Sequence, residues 1–530
     1  MYNFFGPKLP NHIFRWNQVM RFAQLPPLAN DAPHVLLAMN MYWEQFVNMY
    51  ALLAASLRAR GVRVSVLVND GVLPACEKCL LVNNQPGISL HETDYRAVKK
   101  IFAPLDVQLL KFSQFINTDE LPTITTDNEK EHALAGALRY FAKGTLTNES
   151  SANEVLGKYQ QAAAITKQVM EKVLEQDHYD VVCCHHGIYI PQGIVGEVAR
   201  QHNVRVVNWN VAYREKCFIF SHGDTYHHTL LSEPTSAWEN IPWTPALDKT
   251  ITDYLVSRHS GSKDWISFNR APEENTKKII QQLGIDPQKP VIALLTNVIW
   301  DAQLHYPTNI FPNMIEWVKA TIAYFATRPD LQLVIRIHPA ELKGTIPSRQ
   351  LMLAEIQLAF PQLPSNVFVI PPDSSISTYV IGELCNVAII YGTKTGVELV
   401  SSGIPTIVAG EAWIKHKGLT IDPASMAEYT AALDRLPVAA RLDAAIIQRA
   451  KLYAYHFFFR RMIPVSCIQP GKSIYFTVQL NNLADILPGA DLGLDIICDG
   501  ITTGAPFVYP DERAGDAIPT TPTGAWLDMR

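Results

Sequence analysis

Residues 334–341 read VIRIHPAE, and residues 391–411 read YGTKTGVELVSSGIPTIVAGE. The first is an apolar run ending at a proline, which predicts a buried parallel strand stopped by Pro339. Arg336 and His338 are left near its C-terminal edge, where guanidinium and imidazole can grip a phosphate or a nucleotide. A strand-end histidine satisfied by a local carbonyl is the plain alternative. The second stretch predicts a strand, a turn Gly392-Thr393-Lys394-Thr395-Gly396, and a helix with Glu398 in its first turns. Small hydroxyls and backbone N–H groups at a helix start suit a phosphate, and Lys394 adds charge. The G-x-x-x-x-G-K-[ST] spacing of a P-loop is absent. An N-cap threonine in a tight turn explains Thr395 and Gly396, but it requires neither Lys394 nor Glu398.

The same alternation recurs on both sides of these motifs. Strands are predicted at 291–296, 332–337, 367–370, 387–391 and 406–408, with helices at 309–326, 375–383 and 395–402. The N-terminal half offers strands at 34–39, 62–68, 107–112, 180–184 and 204–209, with helices at 46–57, 95–102, 129–141, 154–175 and 191–202. Such alternation implies an α/β protein with parallel sheets covered by helices. The polar, proline-containing stretch 243–275 reads as an interdomain passage. The expected division is an N-terminal α/β domain with helical insertions at 1–265 and a second Rossmann-like domain at 266–440. A long helix at 441–464 follows, then an extension at 465–530 with a disordered tail after about Pro510.

The chain has 530 residues, of which 48% are hydrophobic and 18% charged, an ordinary globular balance. With 45 Lys+Arg against 50 Asp+Glu the net charge is −5, so no bulk attraction to nucleic acid or anionic lipid is expected. The eight cysteines are sparse, and several lie in apolar runs, as buried thiols do. Cys76 and Cys79 form a lone C-x-x-C with no second pair at zinc-site spacing. The N-terminus shows no signal-peptide pattern. Val35–Leu57 is 23 residues with one charge, Glu44, long enough to span a bilayer. Asn40, Glu44, Gln45 and Asn48 cluster in its middle, however, and one central carboxylate costs roughly 2.5–3.5 kcal/mol. The stretch therefore splits into strand, loop and helix. A cytoplasmic protein is expected, with peripheral association at the inner membrane face left open.

Three further constellations sit just after predicted strands. His185-His186-Gly187 ends the strand at 180–184, and adjacent histidines there are candidates for a general base or for acceptor binding. One histidine buried structurally and one merely exposed is the alternative. The run YREKCFIFSHGDTYHH (213–228) holds Tyr213-Arg214, which can bind an anionic acceptor, and His222, Asp224, His227 and His228, imaginable as metal ligands. No H-x-x-x-H helix with a matching carboxylate accompanies them, so no metal site is assigned. TNVIWDAQ (296–303) carries Asn297 and Asp301, which can approach a sugar or pyrophosphate or simply cap a turn. Glu44, after the first strand, can deprotonate a hydroxyl or act as a helix-dipole partner.

Together the two opening motifs resemble the C-terminal donor-binding domain of GT-B glycosyltransferases. The resemblance is to capsule polysaccharide biosynthesis proteins and their Kdo-transferase and bacterial sialyltransferase relatives. His338-Pro339 is similar to the pair that contacts the donor nucleotide there, and Thr393-Lys394-Thr395 to the hydroxyl-rich turn that binds its phosphate, with Thr in place of the usual Ser pair. Gly396, Glu398, Gly403, Pro405 and Gly410 fit the pattern G-x-E-x-x-x-x-G-x-P and beyond, and WIKHKGLT (413–420) resembles a later stretch of the family. The N-terminal half is less similar, and its first loop lacks the glycine-rich sequence some GT-B families carry.

The resemblance implies two Rossmann-like domains facing an interdomain cleft, with the helix at 441–464 crossing back to the first domain. It implies sugar transfer from a nucleotide-sugar to an oligosaccharide or polysaccharide acceptor of a surface or capsular glycan, with lipid-linked acceptors included. The donor phosphates would meet Arg336, His338, Thr393, Lys394, Thr395 and Glu398, with Asn297 and Asp301 toward the sugar. The base would be His186, His185 or Glu44, and Tyr213 and Arg214 would serve the acceptor. No catalytic metal and no cofactor beyond the donor substrate are expected, nor a nucleic-acid partner. A membrane-bound synthesis complex is an open partner. Rival readings on related folds are a glycerophosphotransferase, a nucleotide-sugar epimerase, or an inactive assembly partner of a polysaccharide synthesis complex.

Overall fold

A computed structural model describes residues 16, 19–21, 24–40, 43–77, 92–120, 122–124, 126–266, 272–302, 309–471 and 474–510. Cys79, Gln303 and the tail beyond Pro510, each singled out above, lie outside the described residues, as do Met41 and Tyr42 of the first loop.

Two Rossmann-like α/β units make up the chain. Strands β1 (His34–Met39), β2 (Arg63–Val68), β3 (Gln108–Lys111), β4 (Val181–His185), β5 (Arg205–Val211) and β6 (Cys217–His222) belong to the first. Strands β7 (Val291–Leu295), β8 (Gln332–Arg336), β9 (Val367–Ile370), β10 (Val387–Ile390) and β11 (Thr406–Val408) form the second sheet. Then β12 (Ile463–Pro464) returns to the first, whose order is β12-β6-β5-β4-β1-β2-β3; the second runs β11-β10-β7-β8-β9. Every residue of β1, β4, β7, β8 and β10 is buried, which is why these segments read as unbroken apolar runs rather than alternations.

The first sheet is not purely parallel. β6 runs antiparallel to β5, and β12 antiparallel to β6. The hairpin after Val211 is too short for a crossover, so the chain can only reverse, with the Ala212 N–H donating to the Cys217 carbonyl at 3.0 Å.

The division also differs from the expected boundaries. The first unit comprises 1–140, 149–229 and 458–530, and the second 141–148 and 230–457. The stretch read as an interdomain passage contains a helix, Pro245–Ser260, that belongs to the second unit. Residues 465–510, expected as an extension, fold into the first: the Arg205 guanidinium donates to the carbonyls of Ile501 and Thr502 (3.0 and 2.7 Å) on the helix Leu492–Thr503. The long C-terminal helix is Ala444–Tyr455 followed by a π-helical turn, His456–Arg460. Among the described residues no helix is long and apolar enough to cross a membrane.

Candidate functional site

In the second unit the chain moves outward from β7 through β8 to β9, then restarts on the other side of β7 with β10 and β11. Ligands of open α/β sheets bind outside the carboxyl ends of strands at such a reversal. Three segments meet that edge. Thr296 follows β7, and its Oγ1 accepts the His338 N–H at 3.0 Å, tying the end of β7 to the end of β8. Thr393 and Thr395 follow β10, the Thr393 hydroxyl donating to Thr395 Oγ1 (3.1 Å) while accepting the Thr395 N–H (3.3 Å). Asn297 presents a buried side-chain oxygen that no hydrogen-bond donor meets among the described residues. Asp301 is exposed.

His338 is held in one tautomer. Its Nδ1 accepts the Ala340 N–H at 3.0 Å, so the neutral ring carries its proton on Nε2. Burial, then the charges of Lys394 and Arg336, push its pKa down to about 3. The imidazole expected to meet a phosphate or nucleotide is thus a neutral ring with its proton on Nε2.

Two other motif residues turn inward. Arg336 is 1% exposed, and its guanidinium donates to the carbonyls of Ile337 (3.0 Å), Pro371 (2.6 Å) and Ser374 (3.2 Å). It braces the turn after β9 with the guanidinium that the sequence reading directs toward a nucleotide. Glu398 is buried on the helix Thr395–Ser401, with Arg258 Nε 3.0 Å away and the Tyr379 hydroxyl donating at 2.7 Å. Burial pushes its carboxyl up, but Arg258 and then Lys394 outweigh that and hold it below the usual range. Glu398, expected among the donor-binding residues, is here a buried carboxylate matched to cations. Lys394, 22% exposed, lies 3.6 Å from the same carboxylate. Burial first, then Arg258, lowers its pKa.

The first unit has its own reversal, between β1 and β4. Glu44 opens the helix Glu44–Arg58 after β1, His185 ends β4, and His186 follows it. His185 is 4% exposed, its ring 4.2 Å from that of Phe46 and 4.9 Å from that of Trp209, with Nε2 hydrogen-bonded to Asn210 Oδ1 at 3.1 Å. Burial pushes its pKa down to about 3. The ring, expected as a candidate base, is thus packed in the core with Nε2 committed to Asn210. His186 takes a left-handed backbone at φ 63°, followed by Gly187 at 82° and Tyr189 at 67°. Non-glycine residues hold this conformation at a cost, and such positions cluster at functional turns. The His186 ring lies 5.3 Å from Tyr189 and 5.5 Å from His227.

Tyr213 and Arg214 occupy the β5–β6 hairpin. The Arg214 guanidinium, expected to serve an acceptor, donates to the Phe458 carbonyl (3.0 Å) and covers the Phe459 ring (4.0 Å), so it anchors the π-helical turn. His222 bonds the Ala505 carbonyl (2.9 Å), and His228 pairs with Asp224 (2.7 Å). Among the described residues no three His, Cys, Asp or Glu side chains are placed to hold a metal ion.

Sequence reasoning missed Thr296, Arg258, Asp264 and Tyr379. Thr296 follows an apolar run directly and carried a signal. The other three acquire meaning only through Glu398 and its neighbours.

No family model and no curated protein matches the chain. Solved structures similar to it include two from Thermosulfurimonas dismutans. KpsC, beta Kdo 2,4 transferase, is 14% identical over 52% of this chain and 79% of its own, with TM-score 0.35. KpsC, beta Kdo 2,7 transferase, is 11% identical over 54% and 79%, with TM-score 0.32. UDP-GlcNAc 2-epimerase from Neisseria meningitidis bound to UDP-GlcNAc is 11% identical over 76% and 91%, with TM-score 0.25.

Proposed function

We propose that the chain is a GT-B-type glycosyltransferase that moves a sugar from a nucleotide-activated donor to a hydroxyl of a surface or capsular glycan. The observation that carries this reading is the meeting of one lysine with three neutral donors at the switch point of the second sheet. Lys394, the hydroxyls of Thr393 and Thr395, and the His338 Nε2–H suit a phosphate on a nucleotide. They would stabilise the leaving nucleotide as the bond from the anomeric carbon to the phosphate oxygen breaks and negative charge develops. The acceptor oxygen forms the new bond to that carbon, and its proton goes to a base. With His185 buried and its Nε2 bonded to Asn210, His186 at its left-handed turn is the base we propose, with Glu44 as the residue to compare. Nothing in this scheme asks the chain to enter a membrane, so a cytoplasmic enzyme working beside one fits it.

A panel of nucleotides added to the purified protein tests the donor assignment by thermal stability. At least one nucleotide should raise the melting temperature, and the His338→Ala/Thr395→Ala double variant should lose the rise. No shift with any nucleotide, or a shift retained in the double variant, overturns the assignment. Product analysis with the donor so found separates transfer from epimerisation, and His186→Ala should abolish turnover while leaving that shift intact.

A further inference from the structure

At the strand reversal of the first unit, polar side chains are buried and left unmet. Asn40 directly follows β1 and is 3% exposed, and neither its amide oxygen nor its nitrogen has a hydrogen-bond partner among the described residues. Gln45, in the first turn of the helix Glu44–Arg58, is 2% exposed, and its Oε1 is equally unmet. His185 ends β4, which lies beside β1 with Ala38 opposite Cys184, so Asn40 and His185 leave the sheet at one edge. The His185 ring packs on Phe46, which brings the turn holding Gln45 to the same edge. Asn210 Oδ1 accepts the Val211 N–H at 2.8 Å, so that atom is the oxygen and His185 Nε2 donates to it. His185 Nδ1 is then a bare lone pair, buried with no partner among the described residues.

Each such atom costs stability, and folded chains keep few of them. Four gathered where open α/β sheets take ligands point to a ligand, and their chemistry selects it. Three are acceptors, one is a donor, and none is a cation. The positive end of the helix already faces the Glu44 carboxylate in its first turn. Arg139, the cation acting on His185, is paired with Glu77 at 2.8 Å. A phosphate or carboxylate would meet one donor and three repelling acceptors, whereas hydroxyl groups both donate and accept. We propose that this edge of the first unit binds an uncharged, hydroxyl-rich ring, a neutral sugar unit of the acceptor, through Asn40, Gln45 and His185 Nδ1. Its role as acceptor rests on the glycosyltransferase reading above.

Saturation-transfer NMR of the full chain tests it, with methyl gluco-, galacto- and mannopyranosides as neutral probes and the methyl glucuronide as the acidic one. At least one neutral glycoside should bind, and the glucuronide should bind about tenfold more weakly or worse. Asn40→Leu should lose that binding while its melting temperature stays level or rises, because the free chain gives up no hydrogen bond. Gln45→Met keeps the shape of its side chain, should behave alike, and decides the matter if Asn40→Leu does not fold. No neutral glycoside bound, a glucuronide bound as tightly, or binding retained in a folded variant overturns the proposal. A melting temperature lowered in both variants means that buried water satisfies these atoms, and overturns it too. A nucleotide-induced shift without glycoside binding leaves the donor reading standing, and glycoside binding without any nucleotide shift does the reverse, so the two failures are distinguishable.

Discussion

Glu341 lies three residues beyond His338 and is 1% exposed. One of its carboxylate oxygens accepts the Met352 N–H at 3.0 Å, and the other is buried with no partner among the described residues. Burial raises its pKa to about 7, the Met352 N–H opposing only in part. The unfolded chain ionises this group from about pH 4.5, whereas the folded one keeps it protonated until about pH 7. Stability from this group is therefore full below the unfolded value and is lost as pH rises through the folded one. Denaturant unfolding at stepped pH should show a fall on the order of 3 kcal/mol between those values, and Glu341→Gln should remove that slope. A wild-type profile flat across the interval refutes the assignment. The same scale shows how an HPAE string misleads: it displays chemistry but not direction. His338 faces the edge as a neutral donor, while Arg336 and Glu341 turn into the fold.

At the scale of elements, the helix Pro245–Ser260 shows what pattern reading loses. Its caps are legible: the Thr244 hydroxyl accepts the Leu247 N–H at 3.1 Å, Pro245 opens the first turn, and Gly261 closes it at φ 64°. Its buried stripe is Leu247, Ile251, Tyr254 and Arg258, so half of the inward face is polar and the apolar period is broken. Thr244→Ala should cost about 1 kcal/mol of stability by thermal or denaturant unfolding. Full stability in Thr244→Ala would contradict the cap.

For the whole molecule, the first unit is assembled from three separate stretches of chain and the second from two. Each has a sheet and a core of its own, so calorimetry should resolve two unfolding transitions, with nucleotide raising that of the second. Truncation after Phe457 removes β12 from its pairing with β6, and removes the helix Leu492–Thr503 that Arg205 holds. The first transition should disappear and the second persist; survival of both would contradict this division. The sequence by itself determined the alternation, both sheets' parallel strands and the edge where polar residues gather, because burial on both faces writes an unbroken apolar run into the chain. Only the tertiary structure decided that β6 runs antiparallel, that 465–510 belongs to the first unit, and which motif residues are counter-ions. Those outcomes depend on partners far apart in sequence, such as Arg258 and Glu398, and no local periodicity records a charge's distant neighbour.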